Sequence, residues 1–286
     1  MSDARRALVG CYILILTLAS CGSAGRIEPT ANTPMTTGGT NDQFYKNLPK
    51  GFAMPQNDAE RLLLREYGAV FVARGGVTPP DKIVFKDEAA VTAFQSSVAS
   101  SSEKFGSLNV TLQNAALKAL KDARAEAAKA HLSIGPRSAD SSRRDYGHTV
   151  DLWASRVNPG FAYWVGKGKV TQAEANRIKK LSPFEQVPEI FSLESKNIFF
   201  AKSLDKSIIY SVAPPGTSQH LSMLALDVAQ FENAKVREIL ARHGWYQTVT
   251  SDLPHFTYLG VSEDELPGLG LKKVENSGRV FWIPDI

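Results

Sequence analysis

Asp227 constrains this chain more than any other residue. It stands inside the apolar run Leu221-Ser222-Met223-Leu224-Ala225-Leu226-Asp227-Val228, whose second half reads as a buried strand. A carboxylate in such a place loses its hydration, so the fold must bring it a cation or several hydrogen-bond donors. His220 lies seven residues earlier, shortly after the turn Pro215-Gly216. His255 enters a second strand-like segment, His255-Phe256-Thr257-Tyr258-Leu259-Gly260, with aromatics on alternate positions. Two imidazoles and a carboxylate, each at the start or middle of a strand, can meet across adjacent strands of one sheet. Such a set gives a zinc ion three ligands and leaves its fourth tetrahedral position open, as catalytic sites require.

The 286 residues include two cysteines, Cys11 and Cys21, both near the N-terminus. The body of the chain can therefore form no disulfide and must rest on its hydrophobic core, with a metal as the available staple. Zinc ligands there must be imidazoles and carboxylates, not thiolates. A hydrophobic content of 43% allows such a core. The formal charge is only +4 and no Lys/Arg run stands out, which gives no reason to expect nucleic acid as a partner.

The N-terminal segment carries a different message. Arg5 and Arg6 precede the apolar run Ala7 to Leu18, and small residues follow it. A basic stretch, an apolar core too short to span a bilayer comfortably, and small residues at its end make a secretory signal. Its last four residues, Leu18-Ala19-Ser20-Cys21, resemble a bacterial lipobox, which implies that Cys21 is lipidated and becomes the first residue of the mature chain. More than one acyl chain gives firm membrane attachment where a single chain gives only marginal binding. The expected product is exported and lipid-anchored to the cell envelope.

Four regions follow from the composition. Residues 1–20 read as the signal, 21–58 as the lipidated Cys and a flexible tether rich in Thr, Gly, Pro and Asn, 59–108 as an N-terminal α/β extension, and 109–286 as the principal domain. Within the extension, residues 67–74 and 82–86 read as strands and 89–98 as a helix. The apolar positions Leu112, Ala116, Leu120, Ala123, Ala127 and Ala130 recur at spacings of three and four, which predicts a helix over 110–130. Thr171-Gln172-Ala173-Glu174 opens a helix that Ser182-Pro183 stops, and Asn233 caps another that ends at Gly244. His131 and His243 fall at helix C-termini, where an imidazole meets the negative end of the dipole. The fold class expected is α+β, a small antiparallel sheet carrying the zinc ligands and flanked by helices.

The run Ser218-x-His220-x6-Asp227, the Pro215-Gly216 before it, and the later His255-Phe256-x-Tyr258-x-Gly260 resemble the zinc D-Ala-D-Ala carboxypeptidases. These are the vancomycin-resistance-type D,D-peptidases of the superfamily shared with hedgehog and lysostaphin-like domains. The resemblance covers roughly Leu117 to Gly260 and is strongest from Pro215 onward. It implies that His220, Asp227 and His255 bind one zinc ion, and that the acid three residues before the second His, here Asp252, activates the attacking water and protonates the leaving amine. It also implies that Ser218 and an Arg following a helix, here Arg137 in Ile134-Gly135-Pro136-Arg137-Ser138, hold the substrate.

The implied activity is hydrolysis of peptidoglycan stem peptide, with removal of a terminal D-Ala foremost. Cleavage of another stem or cross-link bond is the nearest variant. The chain departs from the family at three places: Asp252 replaces Glu, Met223 replaces the usual Gly, and Pro254 replaces an aromatic. These departures motivate the alternative of a non-catalytic, zinc-containing wall-binding lipoprotein. The stretch from Arg137 to His220 is longer than compact relatives need, so residues 145–206, which include His148, read as an insertion that lines or covers the cleft.

Overall fold

The computed structural model describes residues 42–286. The signal, Cys21 and most of the tether lie outside the described residues. No described helix is long and apolar enough to cross a membrane.

Residues 42–57, read from composition as the end of the tether, contain helix α1 (Gln43–Asn47), and its Phe44 is fully buried in the main core. Helix α2 (Asp58–Tyr67) begins where the Asn57 side chain accepts from the Glu60 N–H. The β-rich run that follows is not a strand. Tyr67 closes α2, and residues 68–72 form a 3₁₀ turn in which Ala69, Val70, Phe71 and Val72 are all buried. An apolar run with no exposed face carries no periodicity, so strand and helix cannot be told apart from it. The expected strand at 82–86 is reduced to a single bridge between Ala53 and Lys82. Helix α3 (Glu88–Ser97) lies where expected, capped by Asp87.

Strands β1 (Ser100–Phe105) and β2 (Leu108–Gln113) form an antiparallel hairpin that runs directly into α4 (Asn114–Lys129). The predicted helix over 110–130 is thus strand for its first four residues. Val110 and Leu112 are buried with a period of two, and Leu112 happens also to lie four residues before Ala116. Beyond that junction the stripe holds at Ala116, Leu120, Ala123 and Ala127, which are fully buried, but not at Ala130, which follows the last helical residue and is exposed.

Residues 145–206, expected to be an insertion, are largely helical: α5 (Tyr146–Gly166), α6 (Gln172–Lys179) and α7 (Pro183–Glu194). Ser182-Pro183 ends α6 and at once starts α7, with Ser182 and Glu185 in a reciprocal capping box and Pro183 at the first helical position. These helices bury a core of their own around Trp153, Phe161, Ile178, Ile190 and Phe200.

A three-stranded antiparallel sheet, β3 (Ala225–Asp227), β4 (Trp245–Tyr246) and β5 (His255–Tyr258), sits at the centre of the main core in the order β3-β5-β4. Helix α8 (Ala234–Arg242), capped by the Asn233 side chain, connects β3 to β4 and packs on α4. A C-terminal hairpin, β6 (Leu271–Asn276) and β7 (Arg279–Pro284), lies against α2. The architecture is mixed, with small antiparallel sheets and flanking helices, as an α+β fold requires.

Candidate metal centre

Asp227 ends β3 and His255 begins β5, and the sheet register sets the two directly opposite each other. His220 arrives from a 3₁₀ turn, Gln219–Ser222, that follows the Pro215-Gly216 turn. The three side chains converge. His220 Nε2 lies 3.2 Å from Asp227 Oδ1, His255 Nδ1 lies 3.3 Å from the same oxygen, and the two nitrogens are 3.1 Å apart. Ligands about 2.0–2.1 Å from a tetrahedral ion stand about 3.3 Å from one another, so these separations are those of three corners of a tetrahedron. All three residues are buried, and among the described residues they are a group that could hold a metal ion.

The hydrogen bonds behind the cluster agree. His220 Nδ1 is 2.8 Å from the Ser142 carbonyl oxygen, which can only accept, so the proton sits on Nδ1 and the lone pair of Nε2 faces the cluster. His255 Nε2 is 2.9 Å from Gln219 Oε1. Burial pushes the His220 imidazole below its ordinary pKa against the pull of Asp227, which favours the neutral form a metal needs. Burial alone would raise the Asp227 carboxyl. The neighbouring His220 and His255 outweigh it and hold the group well below the usual carboxylate range. The second carboxylate oxygen, Oδ2, accepts from Arg144 Nη2 at 2.8 Å.

Met223 explains one departure from the family pattern. It sits in the left-handed region at φ 57°, the conformation that glycine adopts without strain, and its side chain is buried rather than lining the cleft.

His220 and His255 of the cluster line a cleft of about 240 Å³, to which Ser218, Asp252, Arg144 and Arg156 also contribute. Asp252 is exposed and belongs to the turn before β5: its N–H donates to the Val249 carbonyl, and its own carbonyl accepts from the His255 N–H. The insertion supplies Thr149, Leu152 and Arg156 to the cleft. Arg156 is held by Ser211, whose hydroxyl accepts from Nε at 2.8 Å.

Of the predicted site residues at described positions, Ser218, His220, Asp252 and His255 line this cleft, Asp227 meets it through the two imidazoles, and Arg137 does not reach it. It follows Pro136, which bridges to Val228 beside β3, and its backbone N–H donates to the Asp227 carbonyl. Its side chain is exposed and stands 5.9 Å from the Phe231 ring centre. The guanidiniums in the cleft belong to Arg144 and Arg156, which the sequence reading did not single out. A hint existed: a metal takes one oxygen of Asp227, and the other, still buried, needs a donor. That argument demands an Arg or Lys but does not say which.

Comparison with protein-family models, with curated proteins and with solved structures found no match.

Proposed function

We propose that this chain is a zinc-dependent peptidase of the cell envelope that hydrolyses peptidoglycan stem peptide, with removal of a terminal D-Ala as the main reaction. The observation that carries the reading is a tetrahedral-spaced His220–Asp227–His255 set whose two imidazoles line a cleft that also holds a free carboxylate and two guanidiniums. His220 Nε2, Asp227 Oδ1 and His255 Nδ1 would hold the ion. When bound, zinc polarises a carbonyl oxygen and acidifies water. Asp252 takes a proton from the attacking water and passes it to the leaving amine, the acid–base task of a carboxylate at the cleft edge. Arg144 keeps Asp227 oriented while Ser218 and Arg156 orient the substrate, Arg156 by charge-assisted bonds to a carboxylate. Cleavage of a different stem or cross-link bond uses the same groups. Lipidation at Cys21 would hold the domain at the wall's edge.

One observation favours a second reading, a zinc-containing wall-binding lipoprotein without turnover. Asp252 is one methylene shorter than the acid of the family it resembles, and a general base must reach hydrogen-bond distance of its water. Incubation of the zinc-loaded full chain with purified muropeptides, with and without chelator, separates the two by product mass. Loss of a terminal D-Ala that chelator abolishes is the expected result. No chelator-sensitive product from any stem peptide would leave only the binding reading, and failure to bind about one zinc per chain would remove both.

A further inference from the structure

We infer that Gln219 is a positioning residue for the metal: its side-chain amide dictates that Nδ1 of His255, not Nε2, is the ligating nitrogen. The inference rests on the reading that His220, Asp227 and His255 hold a metal.

Gln219 is buried beside His220 in the same 3₁₀ turn, and its amide is committed on both sides. Nε2 lies 2.9 Å from the Tyr67 carbonyl oxygen and 3.3 Å from Thr248 Oγ1. A backbone carbonyl can only accept, so the amide nitrogen must face Tyr67; flipped, two acceptor oxygens would meet at that distance. Oε1 then necessarily faces His255 Nε2 and the Thr257 hydroxyl.

The remaining protons close a circuit. Gln219 Nε2 donates to Thr248 Oγ1, Thr248 donates to Thr257 Oγ1 at 2.6 Å, and Thr257 donates back to Gln219 Oε1. Thr248 Oγ1 also lies 3.4 Å from Oε1, but an amide oxygen can only accept, so His255 Nε2, at 2.9 Å from it, must carry the proton whichever way the two hydroxyls turn. The lone pair of His255 is therefore on Nδ1, 3.3 Å from Asp227 Oδ1 and 3.1 Å from His220 Nε2.

The two imidazoles differ in how this is achieved. A backbone carbonyl, Ser142, fixes His220, which no substitution removes, whereas a side chain fixes His255. The anchor of that side chain, Tyr67, belongs to the end of α2, outside the strands that carry the ligands, and its hydroxyl also donates to the Ile209 carbonyl in the cleft wall at 2.6 Å. The segment before the principal domain is thereby wired into the metal centre.

The test measures zinc affinity of the folded full chain in detergent by competition with a chromophoric chelator, and the visible spectrum of the cobalt-substituted protein. Gln219→Met, which removes the acceptor, is expected to weaken zinc binding about 10- to 100-fold and to change the cobalt bands. Gln219→Glu keeps an acceptor for His255 Nε2 but sets its second oxygen against the Tyr67 carbonyl, so it is expected to lower thermal stability while holding zinc affinity within about threefold of the wild-type value and keeping the wild-type cobalt bands. Thr257→Val, which damages the same network without freeing His255, is expected to lower thermal stability while leaving affinity within about threefold. A Gln219→Met protein with wild-type affinity and an unchanged cobalt spectrum overturns the inference and leaves the metal reading intact. If Gln219→Met does not fold, Gln219→Glu decides alone, and a tenfold loss of affinity overturns the inference. Absence of zinc binding by the wild-type chain overturns the metal reading and the inference together.

Discussion

At the scale of single residues, the candidate metal ligands are betrayed by the cost of burying Asp227. Asp227 is an expense inside an apolar strand, and a reader of the sequence can ask what offsets it. Arg144 and Gln219 give no such sign. Their partners lie 83 and 36 residues away, and an Arg before a helix or a Gln beside a His is unremarkable in local sequence. Met223 shows how two effects at one residue can be weighed. A left-handed methionine stores about 1–2 kcal/mol of backbone strain, which glycine would relieve. Its buried side chain, however, contributes about 2–5 kcal/mol of packing that glycine would forfeit. The packing term is larger, so Met223→Gly, although it restores the residue the family uses, is expected to destabilise the protein by about 1–3 kcal/mol and lower its Tm by about 3–10 °C. Thermal unfolding of the metal-free protein measures this, and a Tm equal to or above that of the wild type would show that strain outweighs packing.

At the scale of elements, helices with caps and stripes were legible and short strands were not. Thr171 and Asn233 mark their helices in the sequence and accept the expected backbone N–H groups in the structure, where Asp87 caps α3 in the same way. Strand β2 was hidden because Leu112 satisfies the spacing of the helix that follows it, and residues 68–72 were misread because nothing in a wholly buried run alternates. The turn that delivers His220 was legible as Pro215-Gly216, but its constraint was not. Gly216 has φ +76°, and a Cβ there would collide with the Phe85 carbonyl oxygen. Its N–H donates to Thr149 Oγ1 and its carbonyl accepts from the Phe85 N–H, so the turn is tied to α5 on one side and to the N-terminal segment on the other. Neither tie can shift without moving Gln219 and His220. Gly216→Ala is therefore expected to cost about 2 kcal/mol or more of stability and to weaken zinc binding at the same time. Unfolding in denaturant and chelator competition on one preparation check both, and unchanged zinc affinity in a destabilised variant would show that the turn supports the fold without placing the ligand.

At the scale of the whole molecule, the proposed function requires that this domain be held near a wall substrate. The described residues offer a membrane little to hold: Met54, Tyr163 and Tyr210 are the large hydrophobic side chains exposed among them, and none of their helices can span a bilayer. A net charge of +4 over 286 residues is too small to bind an anionic surface firmly at physiological salt. The candidate anchor that we propose is the lipobox-like Leu18-Ala19-Ser20-Cys21, where each buried methylene of an acyl chain would contribute about 0.8 kcal/mol. Expression in a bacterial host supplied with radiolabelled palmitate is expected to label the wild-type chain and Cys11→Ser equally and to leave Cys21→Ser unlabelled. The Cys21→Ser chain should also keep the mass of the uncleaved precursor, because lipidation precedes cleavage at such a site. Label on Cys21→Ser, or none on the wild type, would reduce the segment to an ordinary export signal with an incidental cysteine, and the domain would then find its substrate by diffusion.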